Sequence, residues 1–270
     1  MRLAISNIAW DPAEDEAIAT LLQNNGVDAI DVAPSKYFPV PAMASNDDIA
    51  KVKNWWSERG IEITGMQALL FGTNGMNLFG SLQVQEQMLQ YLNAVCRIGA
   101  GLGAKRLVFG SPKNRDRSGL SDQDTTALAI AFFRRLGDIA QSYDVLICLE
   151  ANPTCYGANF MTTTAETMQM VTLTAHPSIK LQFDIGALTI NGEDSAQVLK
   201  TCAPFIGHIH ISEPDLLPLG DGPTNHANVA NALECYLPRH VTSIEMLATK
   251  SESHLISVER ALSVAIRYYR

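Results

Sequence analysis

Short runs rich in β-branched and other apolar residues recur along the chain, at positions 3–6, 29–33, 61–67, 106–109, 145–150, 179–184, 206–212 and 242–246. Each reads as a β-strand. Between them apolar residues return every three or four positions, the spacing of a helix with one buried face. Segment 121–142 has the cleanest pattern: Leu128, Phe132, Leu136 and Ile139 share one stripe, and Ser121 followed by Asp124 has the form of a capping box. Segments 47–59, 82–99 and 251–269 behave alike. In the last of these Leu255, Val258, Leu262, Ile266 and Tyr269 fall on one face.

Strands alternating with helices call for a parallel sheet covered by helices. Eight such units in 270 residues match one closed barrel. The expected fold class is therefore α/β, a single (β/α)8 TIM barrel, with residues 1–270 forming one domain. The competing doubly wound open sheet would be marked by Gly-x-Gly-x-x-Gly directly after a strand. Gly99-Ala-Gly101-Leu-Gly103 instead precedes a strand, and its glycines are expected to end the helix before it.

Charge and composition remove several function classes. Twenty Lys and Arg against 28 Asp and Glu give a net charge of −8, so a nucleic-acid partner, which needs clustered cations, is not expected. With 47% apolar and 18% charged residues the chain is globular rather than disordered. The five cysteines are odd in number and form no Cys-x-x-Cys pair, which fits reduced thiols and a cytoplasmic location. The first residues lack the apolar stretch of a signal peptide. The uncharged run 63–85 carries Gly65, Gly72, Gly75, Gly80, Asn74 and Asn77, too polar to span a bilayer. It reads as a strand followed by a long loop, and no membrane partner is expected.

The chemistry sits in the C-terminal half. Glu150 closes strand 145–150, Asp184 closes 179–184, His210 lies near the end of 206–212 and Glu245 near the end of 242–246. In a parallel barrel these strand ends meet at one mouth, where barrel enzymes place their sites. Three carboxylates meeting in a partly dry pocket repel one another, and a divalent cation removes that conflict. Three oxygen ligands and one imidazole suit Mn²⁺, Mg²⁺ or Co²⁺, and are compatible with Zn²⁺. A lone carboxylate after a strand is often only a helix N-cap, but four ionisable groups closing four consecutive strands make a stronger pattern. His208 points to the same side as His210; His210 is the expected ligand and His208 a structural residue.

These residues, with Gly207-His-Ile-His-Ile-Ser-Glu213 and the later Gly220-Asp-Gly222, resemble the xylose isomerase-like superfamily of barrels, and within it the ketose 3-epimerases. The resemblance implies one divalent metal ion, Mn²⁺ foremost, bound by Glu150, Asp184, His210 and Glu245. It also implies that the two glutamates move the proton, and that the chain pairs as a homodimer or homotetramer. Two positions depart from the epimerase pattern. Ala187 stands where a His follows the Asp ligand, and segment 214–220 lacks an Arg. The metal centre is kept while the substrate contacts differ, which points away from a free hexulose.

The expected function is a metal-dependent sugar isomerase or epimerase with a metal-stabilised enediolate and with Glu150 and Glu245 as acid and base. The partner is a small sugar or sugar derivative. Two other readings remain open: a dehydratase of a cyclic polyol or related acid, and a non-catalytic barrel that binds a sugar or a protein. An abasic-site endonuclease shares the fold but needs more histidines at the mouth than this chain offers. Substrate-side candidates are Asn7 and Trp10 after the first strand, Lys36 after the second, Lys113 and Arg115 after the fourth, Asn152 beside Glu150, and Glu213 after His210. Trp10 could wall a sugar ring or pack the rim. Lys113 and Arg115 could hold an anion or form a solvated basic loop. Glu213 is a candidate partner for His210.

Overall fold

The computed structural model describes residues 1–270. Eight parallel strands close a barrel in sequence order: β1 (Arg2–Ser6), β2 (Ala29–Val32), β3 (Glu62–Met66), β4 (Arg106–Phe109), β5 (Leu146–Glu150), β6 (Ile179–Asp184), β7 (Ile206–Ser212) and β8 (Val241–Glu245). β8 pairs with β1, so no sheet edge is left open. This is a single (β/α)8 TIM barrel, as the alternation of patterns predicts.

The long helices in the intervals are α1 (Asp15–Asn24), α3 (Asn46–Ser57), α4 (Leu82–Leu102), α5 (Asp122–Ser142), α6 (Thr164–Thr174), α9 (His226–Tyr236) and α10 (His254–Tyr269), with shorter α2 (Pro34–Tyr37), α7 (Ile185–Asn191) and α8 (Ser195–Cys202). Their starts follow the chemistry of side-chain caps. Ser45, Ser121, Thr163 and Ser253 each accept a backbone N–H of the first turn, which satisfies a donor the helix cannot. The stripe on α5 buries Phe132 and Leu136 against the barrel, and that on α10 buries Val258 and Leu262. No helix is long and apolar enough to cross a membrane.

The glycine cluster ahead of β4 behaves differently from expectation. α4 continues through Gly99 and Gly101, and only Gly103, with φ +88°, caps it. The other two are there for close packing. A Cβ on Gly101 would lie 2.7 Å from Ile49 of α3, and one on Gly99 would lie 3.1 Å from Leu107 of β4.

Candidate metal centre

The C-terminal ends of β5 to β8 are staggered, so the ionisable residues climb around half of the mouth. Glu150 is level with Gln182, Asp184 with His210, and Glu245 with Ser212. One ligand atom from each of Glu150, Asp184, His210 and Glu245 lies within 4.8 Å of the others. His210 Nδ1 is 3.1 Å from Glu245 Oε2 and 3.6 Å from Glu150 Oε1.

Each ligand is held by its own supports. Asp184 caps α7: its Oδ1 accepts the Ala187 N–H at 2.7 Å, and its Oδ2 accepts the Ser212 hydroxyl at 2.8 Å. The N-cap role and membership of the cluster therefore coexist in one residue. Glu245 Oε1 accepts from Gln67 at 2.5 Å. Glu150 Oε2 accepts from Asn152 at 3.3 Å, while its Oε1 is buried without a hydrogen-bond partner. Gly110 on the neighbouring loop leaves room for this carboxylate, since a Cβ there would fall 2.0 Å from Glu150 Oε2. A Gly110→Ala variant is accordingly expected to displace Glu150 and to weaken Mn²⁺ binding by at least about tenfold with little loss of helix content. Titration of the variant with Mn²⁺ checks this.

Electrostatics favour a cation at this point. Burial, and then the charges of Glu150 and Glu245, push the Asp184 carboxyl up to about 7. Burial opposes a charge on His210, yet the carboxylates of Glu245 and Glu150 outweigh it and hold its pKa well above the usual value. One imidazole facing three converging carboxylates is a donor set that fits a hard divalent cation. The unpartnered Glu150 Oε1 is a ready ligand atom.

A cavity of about 690 Å³ opens above the cluster. Of the four cluster residues, Glu150 and Glu245 line it, and Asp184 and His210 lie behind them. Its walls are largely apolar, from Ile8, Leu69, Leu70, Phe71, Val108 and Leu247, with Lys36 and Lys113 also in the lining.

The structure distributes the remaining candidates in ways the strand-end pattern does not anticipate. Trp10 is fully buried, stacks edge-on against Trp56 and donates to Asp15 at 2.7 Å, so it packs beneath the rim and walls no ring. Asn7 is also buried; its Oδ1 accepts the Ala33 N–H at 2.7 Å and ties β1 to β2. Arg115 is buried rather than solvated, and burial lowers its pKa to about 10. It donates to the Glu150 carbonyl and to Asn152 Oδ1, both at 2.7 Å, so it braces the glutamate and is not available to an anion with Lys113. Lys113 alone of that loop's two cations reaches the cavity, with its Nζ donating to the Thr73 carbonyl at 3.1 Å. Lys36 also faces the cavity and donates to the Trp10 carbonyl. Glu213 does not meet His210. It accepts from the Gly220 and Thr224 N–H groups and pairs with His226 at 2.8 Å, and His226 in turn meets Tyr269 at 2.7 Å. Glu213 thus fastens the loop after β7 to α10. The sequence pattern does not single out Gln67 or Asp31; Gln67 closes segment 61–67 just as Glu150 closes 145–150, and that position is the available signal.

A family model described as xylose isomerase-like TIM barrel matches residues 19–259. The chain belongs to the xylose isomerase-like TIM barrel family. Similar solved structures include D-psicose 3-epimerase from Clostridium cellulolyticum H10 with D-tagatose, at TM-score 0.82 and 16% identity over 100% of both chains. The 3-keto-D-glucoside 4-epimerase of E. coli superposes at TM-score 0.79 and 16% identity, over 97% of this chain and 99% of that one. An IOLI protein with a bound zinc atom superposes at TM-score 0.77 and 18% identity, over 100% and 98%. At such identities the likeness carries the fold. No curated protein matches the sequence.

Proposed function

We propose that this xylose isomerase-like barrel is a metal-dependent sugar isomerase or epimerase in which Glu150 and Glu245 exchange a carbon-bound proton with the substrate. The observation that supports this most is the division of the cluster: two glutamates, from strands three apart in the barrel order, line the cavity, while Asp184 and His210 stay behind them. Structural neighbours that act on keto-sugars agree with it.

Glu150, Asp184, His210 and Glu245 would hold the ion, with Mn²⁺ the favoured occupant and Mg²⁺, Co²⁺ or Zn²⁺ compatible with the same donors. When bound, the ion supplies the positive charge that makes a C–H beside a carbonyl acidic enough for a carboxylate to remove. A ketose lying between the glutamates presents one face to each. Glu150, braced by Arg115 and Asn152, and Glu245, braced by Gln67, can then act on opposite faces: one takes the proton and the other returns one, which inverts the carbon. Return of the proton to the neighbouring carbon gives the aldose–ketose isomer instead. The apolar walls exclude water from the planar intermediate, and Lys36 and Lys113 offer ammonium groups to polar ends of the substrate.

We infer further that the substrate is a small sugar or sugar derivative, that the protein works in the cytoplasm with its five thiols unpaired, and that it assembles as a homodimer or homotetramer. The test is incubation of the Mn²⁺-treated protein with ketoses, keto-glycosides and sugar phosphates in D₂O. Deuterium is expected at a carbon next to the carbonyl together with the epimer or isomer. Loss of water from the substrate instead would move the reading to a dehydratase, and absence of exchange across the panel would overturn it.

A further inference from the structure

Two buried histidines of β7 converge on one carboxylate inside the barrel. His208 Nε2 lies 2.6 Å from Asp31 Oδ2, and His210 Nε2 lies 4.0 Å from the same oxygen. Thr64 donates its hydroxyl to the other oxygen, Oδ1, at 3.0 Å. All of this happens away from solvent, with the Asp31 side chain 1% exposed and both histidines at 0%.

The backbone is irregular where it delivers these groups. The β2–β3 register shifts after Ile30, so that Asp31 pairs with Gly65 and Thr64 is the extra residue. The β6–β7 register shifts after Leu181, so that Gln182 pairs with His208 and Gly207 is the extra one. Bulges of this kind re-aim side chains. Here they turn Thr64 and His208 onto Asp31 from two sides. Gly65 completes the fit, because a Cβ there would lie 2.6 Å from Asp31 Oδ1.

The Nδ1 of His210 faces Glu245 and Glu150 and is the nitrogen a cation in the cluster would meet. A neutral imidazole that gives its Nδ1 lone pair to a cation carries its proton on Nε2. That N–H would sit in a dry interior, where a donor without an acceptor is costly. The Nε2 of His210 has no hydrogen-bond partner at present, and the Asp31 carboxylate oxygen stands 4.0 Å from it.

We propose that Asp31 is a positioning residue of the cation site: when a divalent cation takes His210 Nδ1, Asp31 accepts the His210 Nε2–H and so fixes the ring and its tautomer. His208 and Thr64 hold the carboxylate at the point where a small rotation completes this bond. The proposal rests on the reading that Glu150, Asp184, His210 and Glu245 bind a cation, and it extends the site one layer into the barrel.

Zn²⁺ is the probe, measured by competition with a chromophoric chelator on the purified full chain. Asp31→Asn is expected to weaken Zn²⁺ binding by about 10–100-fold. His208→Gln, whose amide can still donate to Asp31, is expected to weaken binding less than Asp31→Asn does. Circular dichroism confirms that each variant is folded. If Asp31 serves the fold alone, Asp31→Asn lowers the melting temperature and leaves Zn²⁺ affinity unchanged, which overturns the proposal while sparing the cation reading. If the parent chain binds no Zn²⁺, the cation reading falls and the proposal with it. Nitrogen-15 spectra of the Zn²⁺-loaded parent give a test that needs no variant. The His210 Nε2–H is expected at the low field of a donor to carboxylate, and a proton at the position of an unbonded imidazole would overturn the assignment.

Discussion

Glu150→Gln and Glu245→Gln are each expected to lower interconversion of the two epimers by about 10²–10⁴-fold, the usual contribution of a positioned acid or base, with the barrel still folded. Glutamine keeps the shape and most hydrogen-bonding capacity of the side chain, so the braces survive. Arg115 grips the Glu150 backbone carbonyl rather than its carboxylate, and Gln67 can still donate to an amide oxygen at position 245. What is lost is the ability to take a proton. If the two residues serve opposite faces, each variant should retain hydrogen–deuterium exchange with one epimer and lose it with the other. Both variants also remove negative charge from the cluster, so Mn²⁺ affinity must be measured and activity compared at saturating metal. Normal turnover in either variant would sink the acid–base assignment.

Without a cation, the protein is expected to become less stable as pH rises from about 6.5 to 8. The sign follows from two groups of the cluster. The Asp184 carboxyl titrates near 7 in the folded state, against an ordinary value of 3.8 in the unfolded chain. The folded state therefore holds a proton that the unfolded state has released, and this stabilising contribution is complete below about 4 and lost as pH climbs through 7. His210, held well above 6.5 by Glu245 and Glu150, acts in the same direction and extends the loss to higher pH. Asp31 runs the other way, because burial is outweighed by His208 and the carboxyl falls to about 2. Its contribution is lost only below about 4, outside the window. Burial holds His208 and His240 below 6.5, so they add stability as pH rises toward 6.5 and change nothing above it. While one such group titrates, the slope approaches about 1.4 kcal/mol per pH unit, and each kcal/mol moves the midpoint of a chain this size by about 2–4 °C. Added Mn²⁺ binds the ionised cluster and should raise the melting temperature more at pH 8 than at pH 5. Thermal melts in chelator and in Mn²⁺ from pH 5 to 8 check both statements; a chelated protein whose stability rises from about pH 6.5 to 8 would contradict the electrostatic picture of the site.

Much of the architecture is legible in the sequence because closed parallel barrels repeat one simple pattern. Every strand is a short apolar run, and most long helices carry an apolar stripe and a side-chain cap, so local rules and the global fold agree. The four strand-end residues Glu150, Asp184, His210 and Glu245 are legible for the same reason: topology alone brings the ends of consecutive parallel strands together. Contacts set by loops and by register are not legible. Trp10, Arg115 and Glu213 sit at positions that look like a rim, yet the loops after β1, β4 and β7 fold inward and use them as struts. Arg115 is instructive, because the sequence shows a cation in a turn while burial beneath Glu150 depends on a backbone path that no spacing rule specifies. Asp31 is hidden for a related reason. Its meeting with His208 depends on bulges at Thr64 and Gly207, and a one-residue slip in register leaves no periodic trace. The glycines before β4 record packing distances as much as helix termination, which sequence alone cannot separate.

The most direct test is a crystal of the protein soaked in Mn²⁺ and measured at the manganese absorption edge. One anomalous peak is expected at the mouth of the barrel, about 2.0–2.3 Å from His210 Nδ1 and from carboxylate oxygens of Glu150, Asp184 and Glu245, with an open position toward the cavity. A peak held by other residues, or a fully occupied coordination shell closed to the cavity, would contradict it.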